Sequence, residues 1–197
     1  MRLFGRILLG VVAALVLVIA VLRGRAGWQR YHEAADLSKL RKTLMVTSGS
    51  FPPNGDMPVN CTCRGKALSP ALVWEGSPSA TKSFVVLTTD YDAPASVLPL
   101  LNLTHWIVYN LPASVHSLPE GITLEQMRML GGKVGRNSTG NLAYIGPCPP
   151  IGRHAYVFRI YALDNTLSFS GMPDRGELLD AMKGHILNYG ELTGYYQ

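Results

Sequence analysis

The run Gly146-Pro147-Cys148-Pro149-Pro150-Ile151-Gly152-Arg153-His154-Ala155-Tyr156 decides how this 197-residue chain is read. Three prolines within four positions make a stiff loop with few backbone donors. The loop runs directly into an apolar strand, Ala155 to Leu163. His154 and Tyr156 are two apart, so on an extended chain both point to one face. A rigid rim beside two aligned polar side chains is what a small-ligand pocket needs. The plainer alternative is a turn ahead of a core strand, with both rings merely packed.

Upstream of this run, short apolar segments rich in β-branched and aromatic residues predict further strands at Leu44–Ser48, Ser83–Thr89 and His105–Asn110. Gly and Pro punctuate between them, at Pro52-Pro53-Asn54-Gly55, Gly76-Ser77-Pro78, Leu111-Pro112 and Gly131-Gly132. The long loops 91–104 and 131–154 are of a kind that usually carries function. Thr123-Leu124-Glu125-Gln126 reads as a capping box, with Gly131 as a stop. Asp174-Arg175-Gly176-Glu177 opens a second helix, on which Leu178, Leu179, Met182 and Ile186 predict one apolar stripe. The fold class is therefore mainly β, antiparallel, with peripheral helices.

The N-terminus is of a different kind. Ile7 to Leu22 carries no charge, and arginines flank it at 2, 6, 23, 25 and 30. The run suits an N-terminal transmembrane or signal-anchor helix, slightly short for a bilayer core and extended by snorkelling arginines. Cleavage as a signal peptide, giving a secreted or periplasmic product, is the alternative. Arginines on both sides leave the positive-inside rule without a vote on orientation. The segmentation expected is an anchor or signal segment at 1–27, a polar, partly helical stalk at 28–42, and one domain at 43–197. Residues 1–42 hold 8 Lys/Arg against 2 Asp/Glu, whereas 43–197 hold 10 against 11. The basic excess thus belongs to the membrane flank, where anionic headgroups suit it. The folded part has no basic stripe, so no nucleic-acid partner is expected.

The cysteines are Cys61, Cys63 and Cys148. Without a Cys-x-x-Cys pair a structural zinc site is not expected. A disulfide from either Cys61 or Cys63 to Cys148 fits the sequence equally. Asn60-Cys61-Thr62, Asn102-Leu103-Thr104 and Asn137-Ser138-Thr139 match the N-glycosylation pattern, which matters only in a eukaryotic secretory pathway.

Four polar clusters sit at strand ends or loop mouths. They are Thr89-Asp90-Tyr91-Asp92-Ala93-Pro94, His105-Trp106, Arg136-Asn137 with Gly140-Asn141, and the opening run. Asp90, His105 and His154 admit three chemistries. A metal site of two histidines and a carboxylate lacks ligand-like local spacing. Hydrolysis lacks a Gly-x-Ser-x-Gly elbow or a His-Glu-x-x-His motif, leaving only Cys148 beside His154 as a cryptic nucleophile. An anion pocket fits best: imidazoles, the Tyr156 hydroxyl and loop N–H groups donate to phosphate oxygens, while Asp90 orients the histidines.

These segments resemble the phosphatidylethanolamine-binding protein family, also called Raf-kinase-inhibitor-like proteins, and its bacterial and archaeal branch in particular. Asp90-Tyr91-Asp92-Ala93-Pro94 matches the family's Asp-Pro-Asp-Ala-Pro motif. His105-Trp106 matches its second motif, and 146–156 match its Gly-Pro-Cys-Pro-Pro-x-Gly-x-His-x-Tyr signature. Thr62-Cys63-Arg64-Gly65, Leu72-Val73-Trp74, Tyr161-Ala162-Leu163-Asp164 and Glu191-Leu192-Thr193-Gly194-Tyr195 agree in order. The resemblance implies two antiparallel sheets with peripheral helices. It also implies a shallow anion pocket of Asp90, His105, His154 and Tyr156, shaped by Ala93, Pro94, Gly146, Pro149 and Pro150. Such a protein binds a phosphate-bearing ligand, or a phospholipid headgroup, without catalysing a reaction and without a cofactor. Kinase or protease inhibition is the alternative the family offers. Tyr91 and Ala155 depart from the pattern, where proline and arginine are usual.

Overall fold

The computed structural model describes residues 2–197. Its centre is a five-stranded antiparallel sheet in the order β10-β9-β3-β6-β8. The strands are β3 (Ser83–Asp90), β6 (Leu103–Pro112), β8 (Lys133–Val134), β9 (His154–Leu163) and β10 (Ile186–Tyr196). A three-stranded sheet of β1 (Met45–Thr47), β2 (Leu72–Glu75) and β7 (Ser117–Leu118) packs on one face. The hairpin of β4 (Pro94–Ala95) and β5 (Leu98–Pro99) stands apart, beside the expected pocket.

Every residue of β3 is buried, because its sheet is covered on both sides. On the inner face Phe84, Val86, Val108, Phe158 and Ile160 pack against Trp74 and Leu72 of the smaller sheet. On the outer face Val85, Leu87, Ile107, Tyr161 and Leu163 pack against Leu178 and Met182. These last two belong to α3 (Arg175–Met182), whose N-terminus is closed by the Asp174/Glu177 capping box. The helix α2 (Leu124–Met129) starts on the Thr123/Gln126 capping box, also as its sequence requires. The expected class holds: antiparallel sheets with helices at the edge.

Two elements differ from expectation. The apolar stripe placed on α3 does not reach Ile186, because the helix ends at Met182 and Gly184 turns the chain with φ +80°. Ile186 instead opens β10, an edge strand of 11 residues that alternation alone does not reveal. Its glycines hide it. A Cβ at Gly194 would lie 2.7 Å from Phe51 and Met57, so the glycine serves close packing rather than a turn.

The N-terminal helix α1 spans Arg2–Leu37 without a break. It contains an 18-residue stretch of mean hydropathy 2.7, none of it buried, and is long and apolar enough to cross a membrane. The boundary expected at 27/28 is not a structural one. Across it, Ala26, Arg30, Glu33 and Leu37 recur at helical spacing on one side, and that side is turned to the domain. Ala26 is buried, Arg30 donates to the carbonyls of Tyr91 and Pro99, and Leu37 and Leu40 join the outer-face core. The segment read as a stalk is docked.

Candidate functional site

At the ends of β3, β6 and β9 the chain gathers all four polar residues expected to form a pocket. Asp90 closes β3 with a double role. Its Oδ1 accepts from the Asp92 N–H at 2.7 Å, making an Asx turn, while Oδ2 faces His154 Nδ1 at 2.9 Å. Both side chains are almost wholly buried. Asp92 in turn accepts from the Ala155 N–H at 2.8 Å, which fixes the start of β9 against this loop. The turn reading of this motif is therefore correct, and the turn sets Asp90 beside His154.

His105 reaches this cluster through a β-bulge. Thr88 pairs with Trp106 but Thr89 pairs with Thr104, leaving His105 as the extra residue. Simple alternation from Trp106 and Val108 would send His105 to the outer face. The bulge re-aims it inward, where its ring meets Tyr156 edge-on at 5.1 Å. His105 Nδ1 lies 2.7 Å from the Ile145 carbonyl, an acceptor, so this nitrogen carries the proton. Burial holds the imidazole below its ordinary value, against the opposing pull of Ile145 and Asp90. At neutral pH it is uncharged and Nε2 is an acceptor.

His154 has a different role from the expected one of donor to a ligand. Nδ1 is engaged by Asp90, and Nε2 lies 3.2 Å from the Ile151 carbonyl. Both ring nitrogens face protein acceptors, so His154 braces the proline loop against β3. Tyr156 stacks near it, ring centroids 6.4 Å apart. Burial first, then Asp90 and Asp92, push the Tyr156 phenol well above its ordinary value, so it stays protonated. Its hydroxyl and His105 Nε2 make no hydrogen bond to protein among the described residues, and these are the atoms available to a ligand.

The walls are held from behind. Cys148 is bonded to Cys63, which settles the choice left open by the sequence and leaves Cys61 as the free, buried thiol. The Cys63 N–H donates to the Pro147 carbonyl at 3.0 Å. Gly146 must be glycine, since a Cβ there would lie 2.8 Å from the Thr62 backbone. Ala95 bridges to Ile151, joining the segment of Ala93 and Pro94 to that of Pro149 and Pro150. The bond to Cys63 also removes Cys148 as a nucleophile. Burial raises the remaining thiol, Cys61, to about 11.

Arg136, Asn137 and Asn141 stay outside this cluster. Asn137 Oδ1 caps Thr139 and Asn141, its amide donates to the Ala143 carbonyl, and Ser138 exchanges hydrogen bonds with Thr104 beside His105. The amide nitrogen of Asn102 is likewise spent, on Ala26 and Gln29. Neither asparagine offers a free amide for glycosylation in this fold. The Asp92 anchor and the carbonyls of Ile145 and Ile151 are site features that residue type alone does not signal.

Residues 47–197 match the family model described as phosphatidylethanolamine-binding protein. A protein of Methanothermobacter thermautotrophicus named only as a UPF0098 protein is 39% identical over 155 residues, covering 78% of this chain and 99% of its own. A similarly named protein of Chlamydia muridarum is 37% identical over 154 residues, covering 78% and 99%. Among solved structures, a phosphatidylethanolamine-binding protein homolog from Chlamydia trachomatis superposes with a TM-score of 0.71 at 36% identity, covering 79% of this chain and 98% of that one. The E. coli protein YbcL superposes at 0.70 with 28% identity, covering 79% and 98%.

Proposed function

The chain belongs to the phosphatidylethanolamine-binding protein family, and from that premise we propose that it is a membrane-tethered, non-enzymatic binding protein for a small phosphate-bearing anion. The observation that carries this reading is the bulge that sets His105 against Tyr156 while His154 is tied to Asp90. Tyr156 donates its hydroxyl proton to an anionic oxygen. A negative charge arriving beside His105 restores the imidazole's second proton, and Nε2 then becomes a charge-assisted donor. Asp90 and His154 hold the geometry, and the disulfide-backed proline loop keeps the rim still against the ligand. A preorganised pair of donors costs little ordering on binding.

Support for binding rather than chemistry comes from the thiols, of which one pair is oxidised and the third is buried and protonated. Support for tethering comes from α1, whose exposed apolar stretch continues into the domain as one helix.

The test is calorimetry of O-phosphorylethanolamine against the full chain in phosphatidylcholine nanodiscs. Tyr156→Phe and His105→Ala are each expected to weaken binding at least tenfold with little change in melting temperature. Ethanolamine without its phosphate should not bind. Unchanged affinity in both variants would overturn the assignment.

A further inference from the structure

The face of the sheet opposite the proposed anion site carries a cavity unrelated to it. After crossing its apolar stretch, α1 lies over α3 and β10 but does not close on them. The space left between is about 630 Å³, within the roughly 300–1,000 Å³ that ligand pockets occupy. Leu37, Leu40, Leu179 and Ile186 give it apolar walls, with Trp28 at the membrane end.

Two donors in its lining find no acceptor among the described residues. The Tyr161 hydroxyl is buried without a hydrogen-bond partner, on a residue only 1% exposed. The Nε–H of Arg175 is likewise buried and unpaired, while the far end of that guanidinium is bound to Glu33. Buried donors of this kind are normally satisfied, and an unsatisfied pair lining one cavity is the mark of a missing acceptor. Charge points the same way. Arg159, Arg175 and Lys42 share two carboxylates, Glu33 and Glu191, so this cluster, which extends behind the lining through Arg159, Lys42 and Glu191, carries one uncompensated positive charge. The exposed pairs Asp36–Lys39 and Asp180–Lys183 at the rim are each neutral.

We propose that this cavity binds a single-chain amphiphile with a carboxylate head, such as a long-chain fatty acid. The two carboxylate oxygens accept from Arg175 Nε and Tyr161 Oη, and the single negative charge balances the cluster. A phosphate dianion would overshoot that balance. The chain lies along the leucines and leaves past Trp28, which stands about 9 Å beyond Leu22 along the helix, at the depth of a bilayer interface. The site is independent of Asp90, His105, His154 and Tyr156.

The full chain in phosphatidylcholine nanodiscs is irradiated with a palmitate bearing a diazirine and a terminal alkyne, and the adducts are mapped by mass spectrometry. Adducts are expected on peptides from 28–40 and 175–186, displaced by unlabelled palmitate. Tyr161→Phe should reduce them at least fivefold, and Leu179→Trp, which fills the cavity from a partly exposed position, should abolish them. The methyl ester of the same probe should label the wild-type chain at least fivefold less. Adducts confined to residues 4–22, or equal labelling by acid and ester, would overturn the proposal.

Discussion

The two faces of the central sheet bury polar groups by opposite routes. On the inner face Asp90, His105, His154 and Tyr156 are positioned by short-range devices: an Asx turn, a one-residue bulge and a proline loop. On the outer face Arg159 and Arg175 are both paired with Glu33, which lies 126 and 142 residues away in sequence. The inner site is a hydrogen-bonded array around an uncharged imidazole. The outer one is an ion cluster whose charges persist. Around Arg159 burial opposes the charge, but Tyr91, Tyr161, Glu33 and Glu191 outweigh it and hold the guanidinium firmly protonated. Local motifs build sites that a ligand can probe. Long-range ion pairs build junctions between parts of the chain.

The largest effect that tests this contrast is Asp90→Ala. It leaves a fully buried His154 Nδ1 without an acceptor and opens the Asx turn. Breaking a buried carboxylate–histidine pair by removing one partner costs about 3–5 kcal/mol, so chemical denaturation should show a lower midpoint, with anion binding lost as well. Removing the disulfide by Cys63→Ala together with Cys148→Ala follows. The bond spans 85 residues, and loss of such a link costs about 2–4 kcal/mol. It backs only the inner face, so anion affinity should fall while docking of α1 persists. Glu33→Ala acts on the other face, where Glu33 also accepts from the Tyr91 hydroxyl. Two buried guanidiniums lose their shared partner there, at about 2–3 kcal/mol after allowance for their partial exposure. The expected readout is faster trypsin cleavage at Arg30 and Lys39, with anion affinity unchanged. Equal loss of anion binding in Glu33→Ala and Asp90→Ala would show that the faces are not separate.

The same division explains what could be read from the chain before its fold was known. Asp90, His105, His154 and Tyr156 are legible because each sits in a contiguous motif at a strand end. The bulge that aims His105 is not, since nothing in Thr104-His105-Trp106 marks an extra residue; only pairing with Thr88 and Thr89 creates it. The choice of Cys63 over Cys61 likewise depends on backbone contact with Pro147. The strand β10 hides behind Gly190 and Gly194, which read as breakers until the neighbours that crowd them are known. The docking of 28–40 is illegible for the reason that defines the outer face. A glutamate in a polar helix gives no sign that its partner stands 126 residues on.

The smallest expected effect is the most discriminating, because it follows one proton. Burial lowers His105 below its ordinary value of 6.5 in the free protein, and a bound anion raises it again. Between the lowered free value and the raised bound value, binding takes up a proton, so affinity rises by up to about tenfold per unit as pH falls. Below the free value both states are protonated and the gain levels off. Stability of the unliganded chain must move the other way. The unfolded histidine binds its proton near 6.5 while the folded one resists, so the fold loses stability as pH drops from 6.5 toward the lowered folded value. Sulfate, which does not titrate there, should restore it. Melting curves from pH 7.5 to 5, with and without sulfate, read both slopes at once, and His105→Gln should flatten both. The cluster of Arg159, Arg175 and Glu33 holds no histidine, so trypsin protection of Arg30 should stay level from pH 7.5 to 6.5. Protection that followed the sulfate curve would tie the two faces together and end the contrast between them.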